Sequence, residues 1–180
     1  MSRTLVAGIG NIFLGDDGFG SVVARHLAQT PLPPDVEVAD IGIRGVHLAY
    51  QLLDGYDTLV LVDAMPRGED AGTVTVLETS LADHAAGNGG PPVDPHGMGP
   101  DAVLRLLAGL AEPLGAAVRR ILVVGCEPAT VADGIGLSDQ VAAAVPTAVT
   151  TVLDLLAAPV GNVPEFDRVT TAPRESECTR

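Results

Sequence analysis

The sequence predicts a single α/β domain built on a twisted, mostly parallel sheet of about five strands with helices on both faces. Three observations predict it. Hydrophobic residues make up 47% of the 180 residues, yet aromatics are only 3% and Trp is absent, so the core is built from Val, Leu, Ile and Ala. Sheets buried on both faces by helices have that composition. Short apolar runs of strand length alternate with segments of helical periodicity, the order of elements that gives parallel sheets. The length suits one domain, against about 100–200 residues for each.

The elements follow in order. Thr4 to Ile9 is an apolar run ending in glycine and reads as a buried strand. After the turn Gly10–Gly15, Phe19, Val22, Val23 and Leu27 recur at helical spacing, and Pro31, Pro33 and Pro34 stop that helix. Val36 to Ile41 alternates with polar residues as a second strand, and Val46 to Leu53 has a short helical pattern. Thr58 to Val62 is the clearest strand, with Asp63 directly at its end. Thr73 to Leu77 alternates Thr with Val and Leu, which predicts an exposed edge strand. Leu81 to Val93, rich in Gly, Pro, Asn and Asp, reads as a loop; Asp101 to Leu110 is helical; Ile121 to Gly125 is another buried strand. Ser138 is the expected N-cap of a helix running to about Leu156, with a kink or break at Pro146. From Pro159 to Arg180 the pattern vanishes, so the expectation is a domain over 1–158 and a disordered tail over 159–180. There is no internal repeat.

Charge and cysteine content narrow the function classes. The 23 acidic residues against 10 basic ones give a formal net charge of −13. Phosphate binding needs a basic footprint, so a nucleic-acid partner is not expected. Such a charge keeps a chain soluble, and an acidic surface also suits a basic peptide or a cation. The two cysteines, Cys126 and Cys178, are too few and too far apart for a disulfide scaffold or a zinc cluster. Cys126 reads as a small core residue and Cys178 as an exposed thiol. No signal-like segment opens the chain, and no apolar run reaches the roughly 20 residues that span a bilayer. The expectation is a cytoplasmic monomer with no membrane contact.

Sites in open α/β sheets gather beyond the carboxyl ends of the strands. The first such turn reads Gly8-Ile9-Gly10-Asn11-Ile12-Phe13-Leu14-Gly15-Asp16-Asp17-Gly18. It opens like a dinucleotide fingerprint, but Phe13 stands where G-x-G-x-x-G needs its third glycine, and two carboxylates precede the helix, where a phosphate would be repelled. One Asp satisfies helix capping, and a second has no such need. Asp16 is the expected support, and Asp17 the residue pointing into the site. Asp63, equally readable as a turn residue, gains weight from its place at the end of a central strand. His96 lies in Asp94-Pro95-His96-Gly97-Met98-Gly99, where Pro95 and Gly97 fix the backbone around it. His26, His47 and His84 have no such setting. Together Asp17, Asp63 and His96 are an oxygen and nitrogen donor set suited to a borderline divalent metal, with coordination positions left for water or substrate. A scattered His and two Asp occur in most proteins, so this spacing alone does not establish a metal site.

The motifs taken together resemble those of the nickel–iron hydrogenase maturation proteases, the endopeptidases that trim the C-terminus of the hydrogenase large subunit. The stretch Gly8-Ile9-Gly10-Asn11 through Asp16-Asp17-Gly18-Phe19-Gly20 is similar to their N-terminal motif. In order there follow Gly42-Ile43-Arg44-Gly45, Leu61-Val62-Asp63-Ala64, Pro95-His96-Gly97-Met98-Gly99, Val124-Gly125-Cys126-Glu127-Pro128 and Gly136-Leu137-Ser138. The resemblance covers roughly Thr4 to Leu156. It implies a phosphorylase/hydrolase-like twisted sheet flanked by helices. It also implies an aspartic-type endopeptidase, an activator of hydrogenase, whose partner is a nickel–iron hydrogenase large-subunit precursor already loaded with nickel. The family's catalytic and metal-contacting residues fall on Asp17, Asp63 and His96; the first position is often Glu in relatives, and Asp17 is one methylene shorter. The family's substrate-selecting loop falls on Gly42, Ile43, Arg44 and Gly45, where glycine lets a peptide backbone approach closely.

On this resemblance the enzyme alone holds an incomplete, empty site, and the precursor brings nickel on its own cysteines. Two routes stay open: the metal polarises the scissile carbonyl or lowers the pKa of a bound water, or it is only a recognition handle and a carboxylate activates water. A histidine must be neutral to bind metal, so activity is expected to fall on acidification. Serine and cysteine protease arrangements are not evident around Ser21 or Cys126. Two other readings fit the sequence: a nucleotide-processing α/β protein, which predicts nucleotide binding, and a non-catalytic hydrogenase assembly chaperone, which predicts binding without cleavage.

Overall fold

The computed structural model describes residues 3–81, 84, 100–114 and 118–158. His96 with its Pro95-His96-Gly97-Met98-Gly99 motif, most of the Leu81–Val93 segment, Cys178 and the expected tail 159–180 lie outside the described residues. The described elements are strands β1 (Thr4–Ile9), β2 (Val36–Gly42), β3 (Thr58–Ala64), β4 (Val74–Thr79) and β5 (Arg120–Cys126), with helices α1 (Phe19–Leu27), α2 (Gly45–Leu52), α3 (Pro100–Leu114) and α4 (Asp139–Ala157). A 3-10 turn over Gly15–Gly18 leads into α1.

The five strands form one sheet in the order β2-β1-β3-β5-β4. All pairs are parallel except β4 with β5, so the expected edge strand is the antiparallel one at the border. Side chains alternate across the sheet, which splits the continuous apolar runs into two cores. Val6, Val60, Val62, Leu122 and Val124 face α1 and α4, against Phe19, Val23, Val141 and Val145. Leu5, Ala7, Ile9, Leu59, Leu61 and Val123 face α2 and α3, against Leu48, Leu52, Val103 and Leu104. The chain runs from β1 outward to β2 and then returns past β1 to β3 on the other side. This reversal makes the carboxyl ends of β1 and β3 the switch point of the sheet, the place where such folds put their ligands.

The first helix lies close on that switch point because two glycines permit it. A Cβ at Gly20 would stand 2.1 Å from the Val62 carbonyl and 2.3 Å from the Ile9 carbonyl; one at Gly8 would stand 2.1 Å from the Gly20 carbonyl. The close helix–strand approach that a dinucleotide fold assigns to the third glycine of its motif is thus made here by Gly20, and Phe13 is free to point outward. Since the obstructing atoms are backbone, Gly20→Ala is expected to cost about 1–3 kcal/mol or more in overpacking, read as a lowered midpoint in a denaturant melt.

The structure sharpens two expectations for α4. Pro146 breaks nothing: the helix continues from Asp139 to Ala157, with Pro146 on its exposed side. Ser138 occupies the N-cap position with extended dihedrals, but its side chain makes no capping bond; its hydroxyl is drawn to Asp16 instead. The 19-residue helix is also long and apolar enough by composition to cross a membrane, at mean hydropathy 1.5 over an 18-residue window, where the sequence reading finds no such run. Here Val141, Ala144, Val145, Ala148, Val152 and Leu155 bury one face of it, as in a core helix.

Candidate active site

The turn after β1 is shaped by Gly10. Its φ of 121° is closed to ordinary side chains, and a Cβ there would stand 1.8 Å from the Asp17 carbonyl and 3.2 Å from Asp63 Oδ1. The main chain of Asp17, on the 3-10 turn, and the side chain of Asp63, near the end of β3, are therefore both packed against this one glycine. Asp17 Oδ2 accepts the Asn11 N–H at 2.6 Å, which holds the carboxylate over the turn. Asp63 lies inside the strand rather than after it, opposite Gly125 of β5. It is 2% exposed, and its Oδ1 accepts the N–H of Ala64 at 2.8 Å. Burial, and next the charge of Asp17, push the Asp63 carboxyl well above the ordinary carboxylate range; the Ala64 bond opposes them.

These two carboxylates are the pair that the sequence singles out. No group of three His, Cys, Asp or Glu residues able to hold a metal is found among the described residues, and His96 lies outside them. Two carboxylates around one turn supply hard oxygen donors that suit a divalent cation, and leave room for donors from elsewhere.

Asp16, adjacent in sequence, does a different job. It is fully buried. Its Oδ2 accepts the N–H groups of Ala129 and Thr130 at 2.8 and 3.0 Å and the Ser138 hydroxyl at 2.9 Å, while Oδ1 accepts the Ser138 N–H at 2.6 Å. Burial pushes its carboxyl up, but the bonds from Ser138, Thr130 and Ala129 outweigh that and leave it below the ordinary value. The expected supporting role of Asp16 matches this geometry.

The segment Gly42–Gly45 borders the same turn. Gly42 has φ 57°, and its carbonyl accepts the Gly10 N–H at 3.1 Å, pinning the end of β2 beside the carboxylate pair. Ile43 is exposed, and Gly45 is buried as α2 begins. The Arg44 guanidinium turns back on its own strand and donates to the carbonyls of Asp40 and Ile41 at 2.7 and 3.1 Å. Asp40 in turn accepts from Ser21 Oγ at 2.7 Å and Arg25 Nε at 3.0 Å. This network ties β2 to α1, and sequence reading missed it because its members share no local pattern.

The remaining candidates fall away from the chemistry. Ser21 is buried and committed to Asp40. His26 and His47 are exposed helix residues. His84, expected in a mobile loop, is instead helical and hydrogen-bonded to Thr79 Oγ1 at 3.0 Å. Cys126 is buried and unpaired, and burial, then the charges of Asp16 and Glu127, push its thiol up to about 11. Reactive thiols have their pKa lowered instead, so Cys126→Ala is expected to retain cleavage activity within about twofold, measured as kcat/KM, with only the modest stability loss of a small core truncation.

Comparison with known proteins converges on one family. The sequence profile described as hydrogenase maturation protease (HycI) matches residues 22–155. The hydrogenase expression/formation protein HupD of Rhizobium leguminosarum bv. viciae is 32% identical over 157 residues, spanning 86% of this chain and 74% of that one. Among solved structures, the hydrogenase maturating endopeptidase HybD from E. coli superposes with a TM-score of 0.71 at 27% identity, over 86% of this chain and 92% of its own. A hydrogenase 2 maturation peptidase from a Thaumarchaeota archaeon does so with a TM-score of 0.66 at 29% identity, over 87% and 99%.

Proposed function

The chain belongs to the hydrogenase maturation protease family, and from that premise we propose that it is the endopeptidase that removes the C-terminal extension of a nickel-loaded hydrogenase large-subunit precursor. The observation that supports this most is the packing of the Asp17 main chain and the Asp63 carboxylate against Gly10 at the switch point of the sheet, with the charge of Asp17 felt by Asp63.

The physical sense of the pair is selectivity for a cation. Burial, and next the charge of Asp17, push the Asp63 carboxyl well above the ordinary carboxylate range, which disfavours its charged form in the free enzyme. A divalent ion carried in by the precursor neutralises the pair and takes both as ligands, with His96 as the nitrogen donor. A precursor without nickel offers no such compensation. Nickel is thus cargo of the substrate rather than a resident cofactor; it supplies Lewis acidity toward the scissile carbonyl or a water of lowered pKa. The chain's own residues hold the geometry: Asn11 orients Asp17, Ala64 orients Asp63, and the glycine at position 42 leaves space for the substrate backbone. The working form is a cytoplasmic monomer.

Incubation with matched precursor, nickel-loaded and nickel-free, tests this. Cleavage of the loaded form alone is expected, lost by at least about 10²-fold in His96→Ala, the scale for removing one group aimed at developing charge. Equal cleavage of both forms would rule out a role for the metal. Cleavage by His96→Ala at the wild-type rate would remove His96 as a donor.

A further inference from the structure

We propose that the arch formed by Phe13 and residues 130–135 is a rigid apolar docking element for the folded body of the hydrogenase precursor, and that Asp16 positions it beside the cleavage site. The inference rests on the proposed function and deepens it by assigning the surface that holds the substrate next to Asp17.

The arch is built from two segments distant in sequence. Leu14 and Gly134 form a parallel bridge. The Gly134 N–H donates to the Phe13 carbonyl, and the Gly15 N–H donates to the Gly134 carbonyl, each at 2.9 Å. Below them the Asp16 N–H donates to the Thr130 carbonyl at 3.0 Å, and the Asp16 carboxylate gathers Ala129, Thr130 and Ser138. Residues 131–136 are all exposed, so little apolar burial holds the arch; backbone bonds to the Phe13–Asp16 segment and the bonds to one buried carboxylate at its base do.

What this framework displays is apolar. Phe13 is 61% exposed, Val131 52% and Ile135 81%. Phe13, on a turn, and Ile135, in a bend, each stand one residue from the bridged pair. Large apolar side chains held out on a fixed frame are a poor solution for a free surface and a good one for an interface. A frame fixed in advance spares the ordering cost that a loose loop would incur on binding. The occupant follows from charge and continuity. At net −13 a second copy of this chain is repelled. The arch and Asp17 leave the same turn, Leu14 to Gly18, so a protein whose tail reaches Asp17 lies against Phe13 and Ile135. The precursor therefore presents an apolar recess next to its C-terminal segment.

Kinetics on the nickel-loaded precursor test this with Ile135→Ser and Phe13→Ser, each checked for an unchanged melting temperature. The expected result is a rise in KM of about 10- to 30-fold for each, the scale of an interface anchor, with kcat within about twofold. Tyr50→Ser, on the exposed side of α2, is the comparison and is expected to stay within about twofold in KM. If wild type cleaves and the Ile135 and Phe13 variants keep its KM, the docking proposal is overturned while the peptidase reading stands. A rise in KM at Tyr50 alone would move docking to α2 and also overturn it. Sedimentation showing a dimer of wild type that Ile135→Ser dissociates would assign the arch to self-association instead. Failure of wild type to cleave, with binding intact, would count against the peptidase reading itself.

Discussion

In the Asp63→Asn variant, precursor cleavage falls by at least about 10²–10³-fold while the free enzyme becomes more stable at neutral pH. The first effect follows from the role proposed for Asp63, as a ligand and charge at the reacting centre. The second follows from the cost of keeping Asp63 where it is. Asn preserves the shape and the oxygen that accepts the Ala64 N–H, but has no charge to desolvate beside Asp17. Folding raises the pKa of Asp63, so the folded state binds more protons than the unfolded one. Its stability contribution is complete below the unfolded carboxyl pKa and is lost as pH rises through the folded value. The gain from Asn therefore grows with pH across that window, and above it reaches about 1 kcal/mol, roughly 2–4 °C in Tm for a chain of this size. Melts from pH 4 to 8 measure it. An Asn variant less stable than wild type at every pH would contradict the view that Asp63 is held against its own electrostatics for function.

Asp16→Ala is expected to act in the opposite sense, costing about 3–5 kcal/mol of stability, or roughly 10 °C in Tm. Four donors converge on this one carboxylate, and bonds to a charged acceptor are the strong ones. Asn is no remedy, because its amide nitrogen would face donors where the carboxylate offers only acceptors. Folding lowers the Asp16 pKa, so its contribution is present above the unfolded carboxyl pKa and lost as pH falls through the folded value. The alanine variant should accordingly show a flatter acid limb in its stability profile. Urea melts at neutral and acid pH read both effects. A loss below about 1 kcal/mol would show that the 128–138 segment is held by something other than this carboxylate.

The contrast between these neighbouring aspartates marks what sequence reading reaches. All five strands were legible, β1, β3 and β5 as apolar runs and β2 and β4 from alternation, with β4 marked as the edge by its Thr residues, because those signals are local. Asp63 was picked out through the rule that places sites beyond the carboxyl ends of strands, and Asp17 because one carboxylate satisfies the cap before α1 and a second has no such need. The four donors on Asp16 were not, since they come from residues more than a hundred positions away, and no periodicity encodes such a partner. The same distance explains Ser138: it takes the expected N-cap position, but a remote carboxylate takes its hydroxyl. Pro146 misled for the converse reason, as packing of Val141, Val145 and Val152 on the sheet carries the helix past a residue that would weaken it alone. Gly20 reads as an ordinary helix residue until the carbonyls of Ile9 and Val62 are seen against it.

Intact-mass spectrometry of the nickel-loaded precursor, before and after incubation with the wild-type chain, tests the central claim most directly. One cut is expected, giving a single shortened large subunit and one released peptide whose masses, less one water, sum to that of the precursor. An unchanged precursor mass, in a sample where the two proteins form a stable complex, would contradict it and identify an assembly chaperone rather than a peptidase.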